Sequence, residues 1–339
     1  MNRTSPWRDV SSSPENRTRA VRVHSPGGPE AMVMEDVPVP EPGPGQARVR
    51  VAFAGVNFID IYHRTGAYPM ALPFTLGSEG AGVVETMGDG SADLNEGDRV
   101  AWAMHPGGYA ERCIVDAWKL VPVPPSVELD VAAAVMLQGM TAHYLTHSTF
   151  PLREGHVALV HAAAGGVGLL LTQMAKKCGA TVIGTVSTEA KAELARAAGA
   201  DEVVLYTRES FQEAARGATG GKGVDVVYDS VGKTTFDGSL DCLATRGVLV
   251  LYGQSSGRVP PVDPQTLNAK GSLYLTRPTM GHYIEKQDEF DGRVKDLFGW
   301  AASGVLDVRI GLTLPLAEAA EAHRRLEGRE TTGKVVLVP

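Results

Sequence analysis

Cysteine is scarce in this chain: Cys113, Cys178 and Cys242 are the only three among 339 residues. Their wide separation excludes a disulfide framework and any Cys-x-x-Cys zinc knuckle. Each is expected as a small buried apolar residue. Long apolar runs are missing too, none reaching the roughly 18 residues of a membrane span. There is no basic excess, with 32 Lys and Arg against 39 Asp and Glu and a net charge of −7, so a basic surface that seeks nucleic acid is not the first expectation. The first residues lack the apolar core of a secretory signal, which leads to the expectation of a cytoplasmic protein without a membrane partner. Residues 1–19 are rich in Ser, Asn, Pro and Arg and are expected to form a disordered extension. Asp9, Glu15 and the lack of apolar periodicity argue against a targeting helix there.

What is present is a strand, a glycine turn and a helix. Val157–Val160 is a short apolar run; Gly165, Gly166 and Gly168 break it; Val167, Leu170, Leu171 and Met174 then recur at helical spacing. Glycines let the backbone approach a pyrophosphate closely, and a helix N-terminus offers free N–H groups to the same phosphates. The spacing is Gly-Gly-x-Gly, with Ala163 where the usual first glycine would stand. A plain tight turn would use the same glycines.

At 339 residues the chain is expected to form two domains. Short alternating strands from 20 onward, at 81–85, Arg99–Ala103 and 110–115, suggest a compact β-barrel-like unit. Asp130 is expected to cap an Ala-rich helix, followed by a second helix over 142–148. Beyond it strands and helices alternate, as in a doubly wound parallel sheet. The tail, with an apolar strand at Lys334–Val338, is expected to return to the barrel. The expected division is 1–19 extension, 20–137 barrel domain completed by 278–339, and 138–277 cofactor domain.

An NAD-binding version of such a fold places a carboxylate at the tip of the strand after the glycines. Here that strand ends Gly184-Thr-Val-Ser-Thr188, and Glu189 lies one residue into the helix. Ser187, Thr188 and Lys191 cluster instead, and Tyr206 ends the next strand. Hydroxyls plus a cation suit the 2′-phosphate of NADP; the alternative is a capping serine and a solvated lysine.

Several stretches carry a family resemblance: Gly55-Val-Asn-Phe-Ile-Asp-Ile-Tyr62, Gly66-Ala-Tyr-Pro69, Leu76-Gly-Ser-Glu-Gly-Ala-Gly-Val-Val84, Gln138-Gly-Met-Thr-Ala142, Ala162-Ala-Ala-Gly-Gly-Val-Gly168, Tyr228-Asp-Ser-Val-Gly232, Gly271-Ser-Leu-Tyr-Leu-Thr-Arg-Pro278 and Thr331-Thr-Gly-Lys-Val-Val336. The chain resembles the medium-chain dehydrogenase/reductase superfamily, and within it the zinc-free quinone oxidoreductases related to zeta-crystallin. The resemblance covers nearly everything after Ala20. It implies a GroES-like β-barrel catalytic domain, a Rossmann cofactor domain, NADPH in the cleft between them, and a homodimer paired through cofactor-domain edge strands near 273–276. It also implies catalytic-side roles for Asn57, Tyr62 and Tyr68. The implied cofactor contacts are Thr141, Ala164, Gly165, Gly166, Val167, Gly168, Lys191, Tyr206, Ser255 and Arg277, to which the hydroxyl cluster adds Ser187. The structural alternatives are that Asn57 caps the following helix, Tyr62 and Tyr68 are core aromatics, and Arg277 makes a surface ion pair.

Zinc-dependent relatives use a cysteine where this chain has Asn57 and a histidine where it has Ser78, a poor start for a tetrahedral zinc site. His143 and His147 have the i, i+4 spacing of a metal pair, but no Glu follows His143. Without a metal electrophile, hydride transfer to an already electrophilic acceptor is the chemistry left open. The expected function is therefore NADPH-dependent quinone reduction, with Asn57 and Tyr68 donating hydrogen bonds in the pocket. One rival is reduction of an enone or enoyl thioester, with Tyr68 as proton donor. The other is a non-catalytic, NADPH- or RNA-binding crystallin-like protein, which the acidic charge disfavours.

Overall fold

The computed structural model describes residues 17–90 and 94–339. At its centre the strand Val157–Val160 lies in a six-stranded sheet in which every pairing is parallel. The order across the sheet is Glu202–Leu205, Thr181–Val186, Val157–Val160, Val224–Asp229, Leu243–Leu251, Tyr274–Thr276. In chain order that is 3-2-1-4-5-6, the dinucleotide-binding arrangement, whose switch point lies beside the first strand. A parallel strand is covered on both faces, which is why these segments read as continuous Val/Ile/Leu runs rather than alternating ones. Gly179 and Gly199 end the helices Gly166–Lys177 and Glu189–Ala197 at φ +80° and +104°, a left-handed step that glycine takes without strain.

The barrel strands form a seven-stranded sheet. The terminal strand Lys334–Val338 inserts between Ile310–Pro315 and Gln46–Val56, so the tail does return to the barrel. Its register, Val335 opposite Val56 and Val336 opposite Gly55, brings Lys334 level with Asn57. Glu79–Met87 pairs with the other edge of Gln46–Val56 and delivers Glu79 to the same spot.

Four expectations need revision. Strand Arg17–Val23 begins inside the supposed extension, pairing along its whole length with Met32–Pro38, and Arg19 holds Glu111 at 2.7 Å; residues 1–16 lie outside the described residues. Asp130 does not cap its helix. The helix Leu129–Tyr144 starts earlier because Ala132 N–H already bonds the Glu128 carbonyl at 2.9 Å, and the Asp130 carboxylate accepts from Val131 instead. The two helices expected here are one, continuing through a wider turn at Leu145–Thr149 and crossing the 137/138 division unbroken. Finally, the tail divides: Phe290, Val294, Leu297 and Phe298 of the helix Gln287–Ala302 pack into the core under the cofactor sheet, while the later strands and the helix Ala319–Glu327 join the barrel.

A buried polar chain runs through the barrel domain. Arg64 Nη1 donates to His323 Nδ1 at 3.1 Å, which leaves Nε2–H to donate to the Tyr109 hydroxyl at 3.1 Å. Tyr109 donates in turn to Asp60 Oδ2 at 3.2 Å, and Ser78 donates to Asp60 Oδ1 at 2.8 Å. Burial, and then the Arg64 charge, push His323 down from 6.5 to about 3. Between those values the unfolded chain binds a proton that the folded chain refuses, so this residue's contribution to stability is lost as pH falls. Asp60 acts oppositely, burial raising it from 3.8 to about 6. His323→Gln keeps an acceptor for Arg64 and a donor for Tyr109 but cannot charge. It is expected to flatten the acid dependence of unfolding between pH 6.5 and 4 by up to about 1.4 kcal/mol per unit, measured by urea titration at successive pH values.

Candidate functional site

One cavity of about 630 Å³ opens along the carboxyl ends of the parallel strands, between sheet and barrel. Its middle is the glycine turn. Gly165 stands at the N-cap of the helix Gly166–Lys177, and Ala162 takes the left-handed conformation at φ +51°. A Cβ at Gly168 would come within 2.3 Å of the Ala162 carbonyl, and one at Gly166 within 1.9 Å of Gln138 Oε1. Glycine at these two positions is thus demanded by the protein's own close packing, and the N–H groups of the helix start that border the cavity are a donor set for a pyrophosphate. Val167 also lines the cavity, and the Ala164 carbonyl accepts from Gly333 N–H at 3.0 Å, tying the turn to the barrel domain.

At one end Ser187, Lys191 and Tyr206 line the wall together, as the sequence suggested. Thr188 Oγ1 is spent on capping, accepting from Lys191 N–H at 3.3 Å. Lys191 Nζ reaches across the cleft to donate to the Arg329 carbonyl at 2.5 Å. Burial, and then the Arg329 charge, lower the Lys191 ammonium from its ordinary value. Two cations and two hydroxyls therefore converge where an anion would relieve their repulsion. Arg329 was missed in the sequence; it lies 138 residues from Lys191 in a loop with no pattern of its own.

At the other end the Tyr62 and Tyr68 rings meet edge to face at 5.1 Å. The Tyr62 hydroxyl accepts from Gln254 N–H at 3.1 Å, and burial pushes its phenol up to about 12. Tyr68 Oη accepts from Arg277 Nη2 at 3.2 Å, which leaves its own hydrogen unspent. Arg277 is thus engaged with Tyr68 rather than with a surface carboxylate. Ser255 is positioned by its N–H on the Ser230 carbonyl at 3.1 Å, and Thr141 Oγ1 donates to its own helix at Leu137, presenting an acceptor to the cavity. Asp229, fully buried at the end of its strand, accepts from Val231 and Gly232 N–H and from Thr235, shaping the loop that walls the cavity.

Asn57 departs from the expectation. It stands at the N-cap of the helix Phe58–Arg64 and borders the cavity, but its amide serves a buried network. Nδ2 donates to Glu79 at 2.8 Å and toward the Gly55 carbonyl at 3.4 Å; Oδ1 accepts from Lys334 at 2.9 Å and from Gln138 at 3.3 Å. No amide hydrogen is left to give to a bound molecule, so Asn57 anchors the cavity floor. Lys334 also donates directly to Glu79, and Glu79 accepts from Leu137 N–H at 2.6 Å. The only advance signal of this pair was a lysine immediately before an apolar strand in Thr331-Thr-Gly-Lys-Val-Val336.

The donor set suits a phosphorylated dinucleotide better than a metal. Asn57 and Ser78 are bound to Glu79, Lys334 and Asp60. His143 and His147 stack flat at 4.3 Å instead of converging, with His143 Nε2 on Asp296. Among the described residues no group of three His, Cys, Asp or Glu side chains could hold a metal ion. Nor is any helix there long and apolar enough to cross a membrane.

Comparison with known proteins agrees with this geometry. Residues 43–125 match the alcohol dehydrogenase GroES-like domain, and residues 166–298 match the family described as zinc-binding dehydrogenase. A 2-haloacrylate reductase of Burkholderia sp. is 46% identical over 94% of this chain and 98% of its own length. A quinone oxidoreductase of Pseudomonas aeruginosa is 47% identical over 92% of this chain and 97% of its own. The structure of Escherichia coli quinone oxidoreductase complexed with NADPH superposes with a TM-score of 0.93 at 42% identity, covering 95% of this chain and all of that one. With a GroES-like barrel joined to a Rossmann sheet and such relatives over nearly its full length, the chain belongs to the quinone oxidoreductases of the medium-chain dehydrogenase/reductase superfamily.

Proposed function

We propose that this protein reduces quinones with NADPH. The observation that carries this reading is a single cavity with an anion-seeking end at Lys191 and Arg329, a glycine cradle in the middle, and a tyrosine pair at the far end. Bound NADPH supplies a hydride from the nicotinamide ring. The protein's own part is to seat the 2′-phosphate on Ser187, Lys191, Tyr206 and Arg329, to hold the ring against Thr141, and to keep water out. Ser255 and Arg277 complete the wall on that side. Arg277 donates to the Tyr68 oxygen, which leaves the Tyr68 hydrogen free to be given to the acceptor oxygen, where charge develops on reduction.

The same Arg277–Tyr68 pair favours a second reading, an α,β-unsaturated acceptor protonated by Tyr68 at the α carbon. A relative's name, 2-haloacrylate reductase, belongs to that chemistry. Steady-state NADPH oxidation against benzoquinone, phenanthrenequinone, an enone and 2-chloroacrylate separates the two. Quinones are expected to give the highest kcat/KM; a preference for the alkenes would reverse the assignment. Tyr68→Phe is expected to lower kcat/KM about 10²-fold while the dissociation constant of NADPH changes less than about threefold.

We also infer a cytoplasmic homodimer, paired through the edge strand Tyr274–Thr276, whose Tyr274 is 60% exposed. Light scattering is expected to return twice the chain mass of 35.9 kDa.

A further inference from the structure

The cavity wall contains an orphan. Gln138 is 9% exposed, and its Oε1 meets no hydrogen-bond donor among the described residues. Buried acceptors are seldom left so, because burial removes their water without replacing it. The orientation of this amide is not arbitrary. Lys334 can only donate, so the Asn57 atom it contacts at 2.9 Å is the oxygen, and the Asn57 nitrogen faces the Glu79 carboxylate at 2.8 Å. The Gln138 atom that faces this oxygen at 3.3 Å must be the donor, Nε2, since two amide oxygens would repel there. The remaining Gln138 atom is therefore the oxygen, and it lies over Gly166, where a Cβ would approach within 1.9 Å. The charge on Lys334 thus decides, through Asn57, which amide atom is turned toward the glycine turn.

Its place along the cavity narrows the donor. Gln138, Thr141 and Tyr144 line the wall at the three-residue spacing of one face of the helix Leu129–Tyr144. Gln138 is at the glycine turn, which cradles pyrophosphate; Thr141 lies one turn on, toward the tyrosine end. Between a pyrophosphate and a nicotinamide ring stands one ribose, and its hydroxyls are donors. We infer that Gln138 Oε1 accepts a hydrogen bond from a hydroxyl of the nicotinamide ribose, making Gln138 a cofactor-binding residue whose polarity is set by Lys334. This rests on the NADPH reading above.

The test is calorimetric binding of three ligands to the full chain and to Gln138→Met and Gln138→Leu. NADPH and 2′-phospho-ADP-ribose both carry the second ribose; adenosine 2′,5′-bisphosphate does not. Both variants are expected to bind the first two about tenfold more weakly, as for loss of one neutral hydrogen bond, and the bisphosphate within about twofold of the parent. Bisphosphate binding also reports that the cofactor domain is folded. A loss confined to NADPH would move the contact to the carboxamide and overturn the ribose assignment. Equal weakening of all three ligands, or failure of both variants to fold, would make Gln138 structural and overturn it as well. Unchanged binding of all three would do the same. Failure of the parent chain to bind NADPH would sink the functional reading itself, a result no variant can mimic.

Discussion

Replacing Lys334 with methionine is expected to lower the unfolding free energy by about 3–5 kcal/mol. Lys334 and Glu79 are both completely buried, and the ion pair between them is shared with Asn57. Burial lowers the Lys334 ammonium from its ordinary value, with the Glu79 charge opposing that shift. Removing the cation strands a carboxylate that has no water to turn to. It also removes the donor that orients Asn57. Glu79→Leu leaves the complementary problem, an ammonium without its partner, and is expected to cost a similar amount. The double variant Lys334→Met with Glu79→Leu is expected to recover most of the loss, because a pair of apolar side chains carries no desolvation penalty. Urea unfolding of the four proteins closes the cycle. If each single change cost less than about 1 kcal/mol, the pair would be behaving as an exposed one, and the reading of the cavity floor would fail.

How much of this was legible in the sequence depended on whether the cause was local. The strand Val157–Val160, the glycine turn and the following helix could be read directly, because a change of hydrophobic period and a glycine cluster lie within one short window. The terminal strand was equally plain, an apolar run whose only place is a sheet. The cap at Asp130 was misread because Glu128 and Asp130 are both acceptable beside that helix start, and the choice falls to a backbone hydrogen bond that composition does not encode. Asn57 was expected to donate hydrogen bonds in the pocket because the family resemblance carries a catalytic-side role to its position. Its amide is diverted by Glu79, 22 residues away, and by Lys334, 277 residues away. No spacing rule spans such distances; only the register between the strands Gln46–Val56 and Lys334–Val338 brings those residues level. Arg329 was invisible for the same reason, since it faces Lys191 only after the tail has returned to the barrel.

That late-arriving cation sets up the sharpest test of cofactor choice. Arg329 sits at φ +59°, a conformation glycine adopts freely, so Arg329→Gly removes the guanidinium while sparing the backbone and the carbonyl that Lys191 holds. The Lys191–carbonyl contact is a placeholder: an ammonium beside a second cation gains more from a phosphate than from a neutral oxygen. A charge-assisted hydrogen bond contributes about 1.5–3 kcal/mol, so Arg329→Gly is expected to weaken NADPH binding about 10- to 150-fold. Lys191→Ala is expected to do the same, and the two together to exceed either. NADH has no 2′-phosphate, and its binding is expected to stay within about threefold in all three variants, so that the preference between cofactors collapses. Raising salt should erode the parent's NADPH affinity more than that of the double variant, because only the parent retains the exposed positive charges to be screened. Equal losses for NADH and NADPH would instead mean that the tail was displaced, and the phosphate assignment of Lys191 and Arg329 would not survive.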